Sequence, residues 1–183
     1  MMTEALTALS LGHLHQPLRM VVRPDAAAGV MGLMPAYRSA PDAAYGLKAI
    51  CVFPDNPTRG KDAHQGGVML FSGETGELLA LMNGSAVTAI RTAAVSGVAT
   101  RLLAREDAGE LAIIGSGVQA RLHLAAMACV RPIKRVRVAS HKFENARRFA
   151  RDLQPHHPFP LEPVERIADA LSGANLIVTA TNA

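Results

Sequence analysis

The sequence predicts an α/β protein in two parts, and three observations carry that expectation. The apolar run Leu111-Ala112-Ile113-Ile114 feeds straight into Gly115-Ser116-Gly117-Val118-Gln119-Ala120, and the turn runs on into Leu122, Leu124, Ala125, Ala126 and Met127. A short apolar run ending at glycine reads as a buried parallel strand, and the segment after the turn has helical composition. Beyond this point the chain alternates strand and helix, a rhythm whose crossovers build a doubly wound parallel sheet. Ahead of it, several short apolar runs are joined by turns, as in a mainly antiparallel sheet. The expected architecture is therefore the first half of a Rossmann-type nucleotide-binding domain preceded by an α+β domain. With 183 residues, about half of them apolar, the chain has room for two small domains and a real core.

Taken in order, residues 4–14 have helical composition, and Leu18 to Val22 forms a short apolar run before the turn at Pro24-Asp25. Val30 to Met34 is a second run, closed by Pro35. Leu47 to Phe53 is a third, followed by the loop 54–60. Gly67 to Phe71 and Leu78 to Met82 flank Ser72-Gly73-Glu74-Thr75-Gly76-Glu77, a hairpin-type turn. Ala86 to Leu103 is alanine-rich with few breakers and predicts a long helix, with Ser85 as its N-cap. Asp107-Ala108-Gly109 ends that helix and marks the domain boundary, giving a first domain over 1–106 and a nucleotide domain over 107–183. In the second domain Arg135 to Ala139 is a strand and Asn145 to Leu153 a helix. A proline-rich passage then reaches Leu161, with a helix over Val164 to Leu171 and a strand over Leu176 to Thr179. A dinucleotide fold normally has two mononucleotide halves, and only the first is encoded over these residues.

Composition narrows the partners. A net charge of +4 with scattered arginines argues against nucleic acid and suits an anionic cofactor or substrate. The densest basic stretch, Arg131 to Arg137, reads as a solvated strand edge. Cys51 and Cys129 lie in apolar surroundings without CxxC spacing and are expected to be buried, reduced thiols. No secretory signal pattern and no long apolar span occurs, so a cytoplasmic protein without a membrane segment is expected. No carboxylate pair, metal-ligand spacing or Ser/His/Asp arrangement stands out.

The glycine turn carries the first chemical signal. Gly115 permits a tight turn, Gly117 lets a pyrophosphate approach the backbone, and Ala120 is small enough for close helix–strand packing. Two glycines in a strand–helix turn are a weak signal alone, and the flanking strand and helix are what favour nucleotide binding over a plain turn. The cofactor-binding positions are Gly115, Ser116, Gly117, Val118 and Gln119. At the end of the second strand, where NAD sites tend to place an acid, the chain has Ser140-His141-Lys142 and no acid until Glu144. A hydroxyl beside two basic side chains suits a 2′-phosphate, which favours NADP(H) with NAD(H) as the alternative. The competing reading has Lys142 simply opening the next helix in solvent. Thr179, Ala180 and Thr181 follow a strand whose carboxyl end would line the same crevice.

The sequence resembles the ornithine cyclodeaminase/mu-crystallin family. The stretches that carry the resemblance are Gln16-Pro17-Leu18-Arg19, Gly32-Leu33-Met34-Pro35, Tyr45-Gly46-Leu47-Lys48 and Gly73-Glu74-Thr75-Gly76-Glu77-Leu78-Leu79-Ala80. They continue with Thr88-Ala89-Ile90-Arg91-Thr92-Ala93-Ala94, Gly115 to Ala120, and Ile177-Val178-Thr179-Ala180-Thr181. The resemblance implies that Arg19, Lys48 and Arg91 gather on the carboxylate of a small amino or imino acid, with Lys48 also able to move a proton. It implies too that the helix bearing Thr88, Arg91 and Thr92 approaches the cofactor. Without it, Lys48 inside Leu47-Lys48-Ala49-Ile50 reads as an edge-strand lysine reaching water, and Arg91 as an ordinary exposed helix arginine.

The expected activity is NADP(H)-linked hydride exchange at the α carbon of a small 2-amino or 2-imino acid, either imine reduction or ornithine cyclodeamination. The first domain is expected to bind substrate and to pair two copies into a homodimer if the chain is complete. The family's catalytic aspartate belongs to the second half of the nucleotide domain, and the family's opening strand and most of its first helix also lack counterparts here. The alternative expectation is therefore an NADP(H)-binding chain, or a fragment, with little or no turnover.

Overall fold

The computed structural model describes residues 1–39 and 41–181; Ala40, Asn182 and Ala183 lie outside the described residues. It divides into two compact units, Met1–Thr88 and Ala89–Ala183, and the division falls inside the long helix that the sequence reading gave whole to the first domain.

The first unit opens with α1 (Met2–Ser10) and short β1 (Leu14–His15). It continues with β2 (Met20–Val22), β3 (Val30–Arg38), β4 (Ala44–Val52), β5 (His64–Ser72) and β6 (Leu78–Asn83), and then enters α2 (Gly84–Leu103). The six strands form one antiparallel sheet in the order β1-β3-β4-β5-β6, with β2 also on β3. The strand expected to close at Pro35 runs on to Arg38. Pro35 falls between the residues of β3 that pair with β2 and those that pair with β1, where that side of the ladder asks for no N–H. The helix expected to reach Leu14 stops at Ser10, because Leu14 and His15 are drawn into the sheet opposite Arg38 and Tyr37.

Register sorts this sheet into two faces, since residues directly opposite share a side. One face carries Leu33, Pro35, Leu47, Met69 and Leu81 and has no Lys, Arg, Asp or Glu at any paired position. The other carries Met34, Lys48, Ile50, Val68 and Met82. Ile50 is the one buried apolar side chain among the described residues of this unit.

In the second unit β7 (Glu110–Ile114), α3 (Val118–Val130), β8 (Arg135–Ala139), α4 (Phe143–Leu153), β9 (Leu161–Val164), α5 (Ile167–Leu171) and β10 (Leu176–Thr179) alternate. All four strands are parallel, in the order β10-β7-β8-β9. Leu111 and Ile113 of β7 pack with α3 and α4 residues such as Leu124 and Phe149, whereas Ala112 and Ile114 meet Ala170 of α5. Helices therefore cover both faces, which is why β7 reads as an unbroken apolar run. The proline-rich passage ends in a strand that the sequence reading did not give, and the helix expected from Val164 starts only at Ile167. Pro163 is tolerated because β9 is an edge strand paired with β8 alone. The basic stretch is not a solvated edge either: β8 lies between β7 and β9, Arg135 pairs with Glu110 at 2.7 Å, and Arg137 donates to the Asp169 carbonyl at 3.1 Å. Both cysteines are free, as expected, but Cys129 is exposed and Cys51 half-buried.

Candidate functional site

Each unit brings one cluster of the expected residues together. In the first, Lys48 projects from the middle of β4 on the face it shares with Ile50, and its ammonium donates to Thr88 Oγ1 at 2.6 Å. The Thr88 hydroxyl in turn donates to the Gly84 carbonyl at 2.6 Å. The single hydroxyl proton is thereby committed, so toward Lys48 the oxygen can only accept. Thr88 reaches this position because α2 starts close against the sheet. A Cβ on Gly84 would stand 3.0 Å from the Gly66 carbonyl oxygen, a tight contact, so glycine lets the helix begin this close to the β5 backbone. The N-cap is Asn83, not Ser85: Asn83 Oδ1 accepts the Ala86 N–H at 2.9 Å, while the Ser85 hydroxyl donates to the His64 carbonyl. Arg19 belongs to the same unit, exposed, just ahead of β2.

In the second unit the carboxyl ends of β7, β8 and β10 meet at the glycine turn. Gly115 donates to the Ala139 carbonyl at 2.8 Å, Ala180 donates to the Ile114 carbonyl at 2.7 Å, and Ser116 and Ser140 hydroxyls lie 3.0 Å apart. Strand order reverses between β7 and β10, which is where open α/β sheets bind ligands. Gly115 has φ +117°, and a Cβ on it would sit 2.2 Å from the Ala180 carbonyl oxygen. Gly117 is the opposite case: nothing lies within 4 Å of where its Cβ would be. The backbone there faces open space, at the N-terminus of α3, where no side chain caps the helix.

This is the cradle an anionic dinucleotide needs, with main-chain N–H groups and the positive end of a helix dipole facing room for a pyrophosphate. Ala120 is fully buried against the sheet, as the motif requires. Gln119 Oε1 is buried without a partner beside the turn. Val118 is exposed, His141 is exposed, and Lys142 is exposed at the N-cap position of α4. Ser116, Ser140 and Ala180 are half-buried, and Thr179 and Thr181 are exposed at the end of β10. The residues present fit a nicotinamide dinucleotide. On α2, Arg91 is exposed and Thr92 half-buried, one turn from Ser96.

Two residues escaped the sequence reading. Ser96 Oγ on α2 lies 2.9 Å from Nε2 of His123 on α3, and His123 Nδ1 lies 2.8 Å from the Gln119 carbonyl oxygen. The available signal was a histidine four residues beyond Gln119 on an otherwise apolar helix face. No group of His, Cys, Asp or Glu able to hold a metal occurs among the described residues, and none of their helices is long and apolar enough to cross a membrane.

A parallel four-stranded sheet with a glycine turn at its switch point, joined by a long helix to an antiparallel sheet bearing a lysine, defines an α/β protein of the Rossmann type. The match to known proteins narrows that class. The chain belongs to the ornithine cyclodeaminase/mu-crystallin family, whose model matches residues 1–183. It is 44% identical over 140 residues to a Delta(1)-pyrroline-2-carboxylate reductase of Bacillus cereus, covering 76% of this chain and 43% of that protein. It is 37% identical over 172 residues to the ketimine reductase mu-crystallin of Mus musculus, covering 94% and 53%. Among solved structures, the Thermococcus litoralis Delta(1)-pyrroline-2-carboxylate reductase in complex with NADH and L-proline superposes with a TM-score of 0.93. The identity is 34%, over 100% of this chain and 56% of that one. The chain thus spans about half the length of these relatives.

Proposed function

We propose that this chain binds a nicotinamide dinucleotide on the Gly115–Ala120 turn and serves an enzyme that acts on a small cyclic imino or amino acid. The observation behind it is the turn itself: Gly117 opens to unfilled space at an uncapped helix N-terminus, beside the crevice closed by Gly115 and Ala180. The similarity to reductases of pyrroline-2-carboxylate and of ketimines supports the substrate class. The cofactor, when bound, supplies the hydride exchanged at the substrate's α carbon.

The protein's own residues do the rest in this reading. Arg19 and Arg91 offer planar forks to the substrate carboxylate, and Lys48 adds a compact charge and is the catalytic candidate for holding or moving a proton. Thr88 keeps the Lys48 ammonium aimed by accepting from it, with the Gly84 carbonyl fixing its hydroxyl. Gly115, Ser116, Gly117, Val118 and Gln119 receive the pyrophosphate, with Thr88, Arg91, Thr92, Thr179, Ala180 and Thr181 also on the cofactor. Ser140, His141 and Lys142 receive a 2′-phosphate, which favours NADP(H) over NAD(H). Two copies pair through the uncharged face of the first unit's sheet.

A second reading is that the chain binds the dinucleotide without turnover. One titration separates the two. The chain has no tryptophan, so NADPH and NADH fluorescence can be followed directly. We expect NADPH to bind roughly tenfold tighter than NADH, about one charged contact's worth, and pyrroline-2-carboxylate to quench only the wild-type complex, not Lys48→Met. Binding with no oxidation of NADPH in the presence of the imine supports the second reading. Failure of both cofactors to bind overturns both.

A further inference from the structure

We propose that His123 is a positioning residue for the dinucleotide cradle, acting as a latch that ties the first turn of α3 to α2; this rests on the cofactor reading above. His123 is the one buried polar side chain in the core among the described residues, 8% exposed. Burying an imidazole is costly unless its nitrogens find partners, and here both do. Nδ1 faces the Gln119 carbonyl oxygen, which can only accept, so Nδ1 carries a proton and donates. Nε2 faces the Ser96 hydroxyl, which complements it by donating or accepting as the ring requires.

The latch is placed where the cofactor reading needs rigidity. Gln119 is the second residue of α3, inside the glycine turn, and its own Oε1 is buried without a partner. Ser96 sits one helical turn beyond Thr92 on α2. Other polar ties between α2 and α3 include Thr100 Oγ1 to Met127 Sδ at 3.2 Å, and Arg131 to the carbonyls at the end of α2. These two act far down the helices from the turn. The Ser96–His123–Gln119 chain reaches the cradle itself, so it bears on how the first-turn N–H groups of α3 stand relative to α2. Those N–H groups bind more tightly when they are already aimed, since a loose cradle must be ordered by its ligand at a cost in affinity.

The test uses the full chain with Ser96→Ala, Ser96→Thr and His123→Phe, reading NADPH affinity by fluorescence and His123 by side-chain ¹⁵N shifts. In the wild type the shifts should show Nδ1 protonated. Ser96→Ala should weaken NADPH on the order of fivefold, the worth of one ordinary hydrogen bond, with its melting transition still cooperative. His123→Phe should weaken it at least as much, and Ser96→Thr, which keeps the hydroxyl, should return affinity to within about twofold. Affinity unchanged in Ser96→Ala, or a wild-type imidazole with Nδ1 bare, overturns the latch while leaving cofactor binding standing. If His123→Phe does not fold, Ser96→Ala decides alone. A wild type that binds neither NADPH nor NADH overturns the cofactor reading, and the positioning role falls with it even if the shifts show the latch geometry.

Discussion

A methyl group on Gly115 would press to 2.2 Å from the Ala180 carbonyl oxygen at a φ of +117°, whereas one on Gly117 would meet nothing within 4 Å. The same substitution at these two glycines should therefore separate folding from binding. Gly115→Ala must move the end of β10 or the turn, and should destabilise the protein by about 2 kcal/mol or more, the usual scale of backbone strain at such positions. Gly117→Ala, at an ordinary φ of −80°, should leave thermal unfolding unchanged within about 0.5 kcal/mol. It should nonetheless cut NADPH affinity, because the methyl fills the space a pyrophosphate would use. Differential scanning calorimetry beside a fluorescence titration checks both; Gly117→Ala with wild-type affinity would remove the cradle from the argument. The motif gave the two glycines different roles in the sequence, Gly115 for the turn and Gly117 for the ligand's approach, but not what makes Gly115 irreplaceable. That depends on Ala180, which follows a strand 65 residues further on in the pairing of β7 with β10.

The long helix α2 shows what an element asks of distant residues. Its alanine-rich composition predicts a helix, and its span of Gly84–Leu103 nearly matches the expected Ala86 to Leu103. What holds its ends was not legible. Asn83 caps the first turn, and at the far end Arg131 donates through Nη2 to the carbonyls of Thr100 at 2.7 Å, Arg101 at 3.0 Å and Ala104 at 2.7 Å, and through Nε to that of Arg105 at 2.8 Å. Thr100 and Arg101 lie in the last turn of the helix and Ala104 and Arg105 just past it. The Thr100 carbonyl also accepts the Ala104 N–H at 3.0 Å and the Arg105 carbonyl the Ala108 N–H at 3.2 Å, and a cation there meets the negative end of the dipole. Arg131→Ala should therefore cost about 2 kcal/mol of unfolding free energy in urea denaturation, from loss of charge-assisted bonds. Arg131→Lys should recover part of it, since one ammonium cannot span four carbonyls. A loss below about 0.5 kcal/mol would show that water replaces the guanidinium at no cost. The missed strand β9 has the same kind of cause: Pro158, Pro160 and Pro163 signal a loop, and only the open edge of β8 makes extended pairing possible there.

At the scale of the whole molecule, the first unit leaves one face of its sheet with no Lys, Arg, Asp or Glu at paired positions, and much of it in solvent. Leu81 is 71% exposed, Met20 62% and Tyr45 51%. Tyr37 and Tyr45 pack ring on ring at 4.6 Å beside a cavity of about 290 Å³ also lined by Pro35, Leu47 and Phe71. An apolar surface of this kind marks an interaction site, and a self-complementary face is what a twofold dimer uses. Sedimentation should show wild-type dimers and Leu81→Glu monomers, because a buried unpaired carboxylate at the seam is costly. Leu81→Glu sedimenting as the wild type does would place the pairing elsewhere.

The sequence by itself determined the two-part α/β architecture and the position of the glycine turn, because period, glycine placement and apolar runs are local properties of the chain. The stretches from Gln16-Pro17-Leu18-Arg19 to Ile177-Val178-Thr179-Ala180-Thr181 carried the family resemblance, Lys48 became a candidate through that resemblance, and Ser140-His141-Lys142 became one through its place at the end of a strand. Only the tertiary structure decided what those groups touch. Thr88 meets Lys48 across 40 residues, and Ser96 meets His123 across 27. Neither pairing leaves a periodic trace, since a single hydrogen bond between elements constrains two side chains and nothing in the sequence between them. The sheet's register and the packing of α2 on α3 set those meetings, and with them the geometry on which the chemistry would depend.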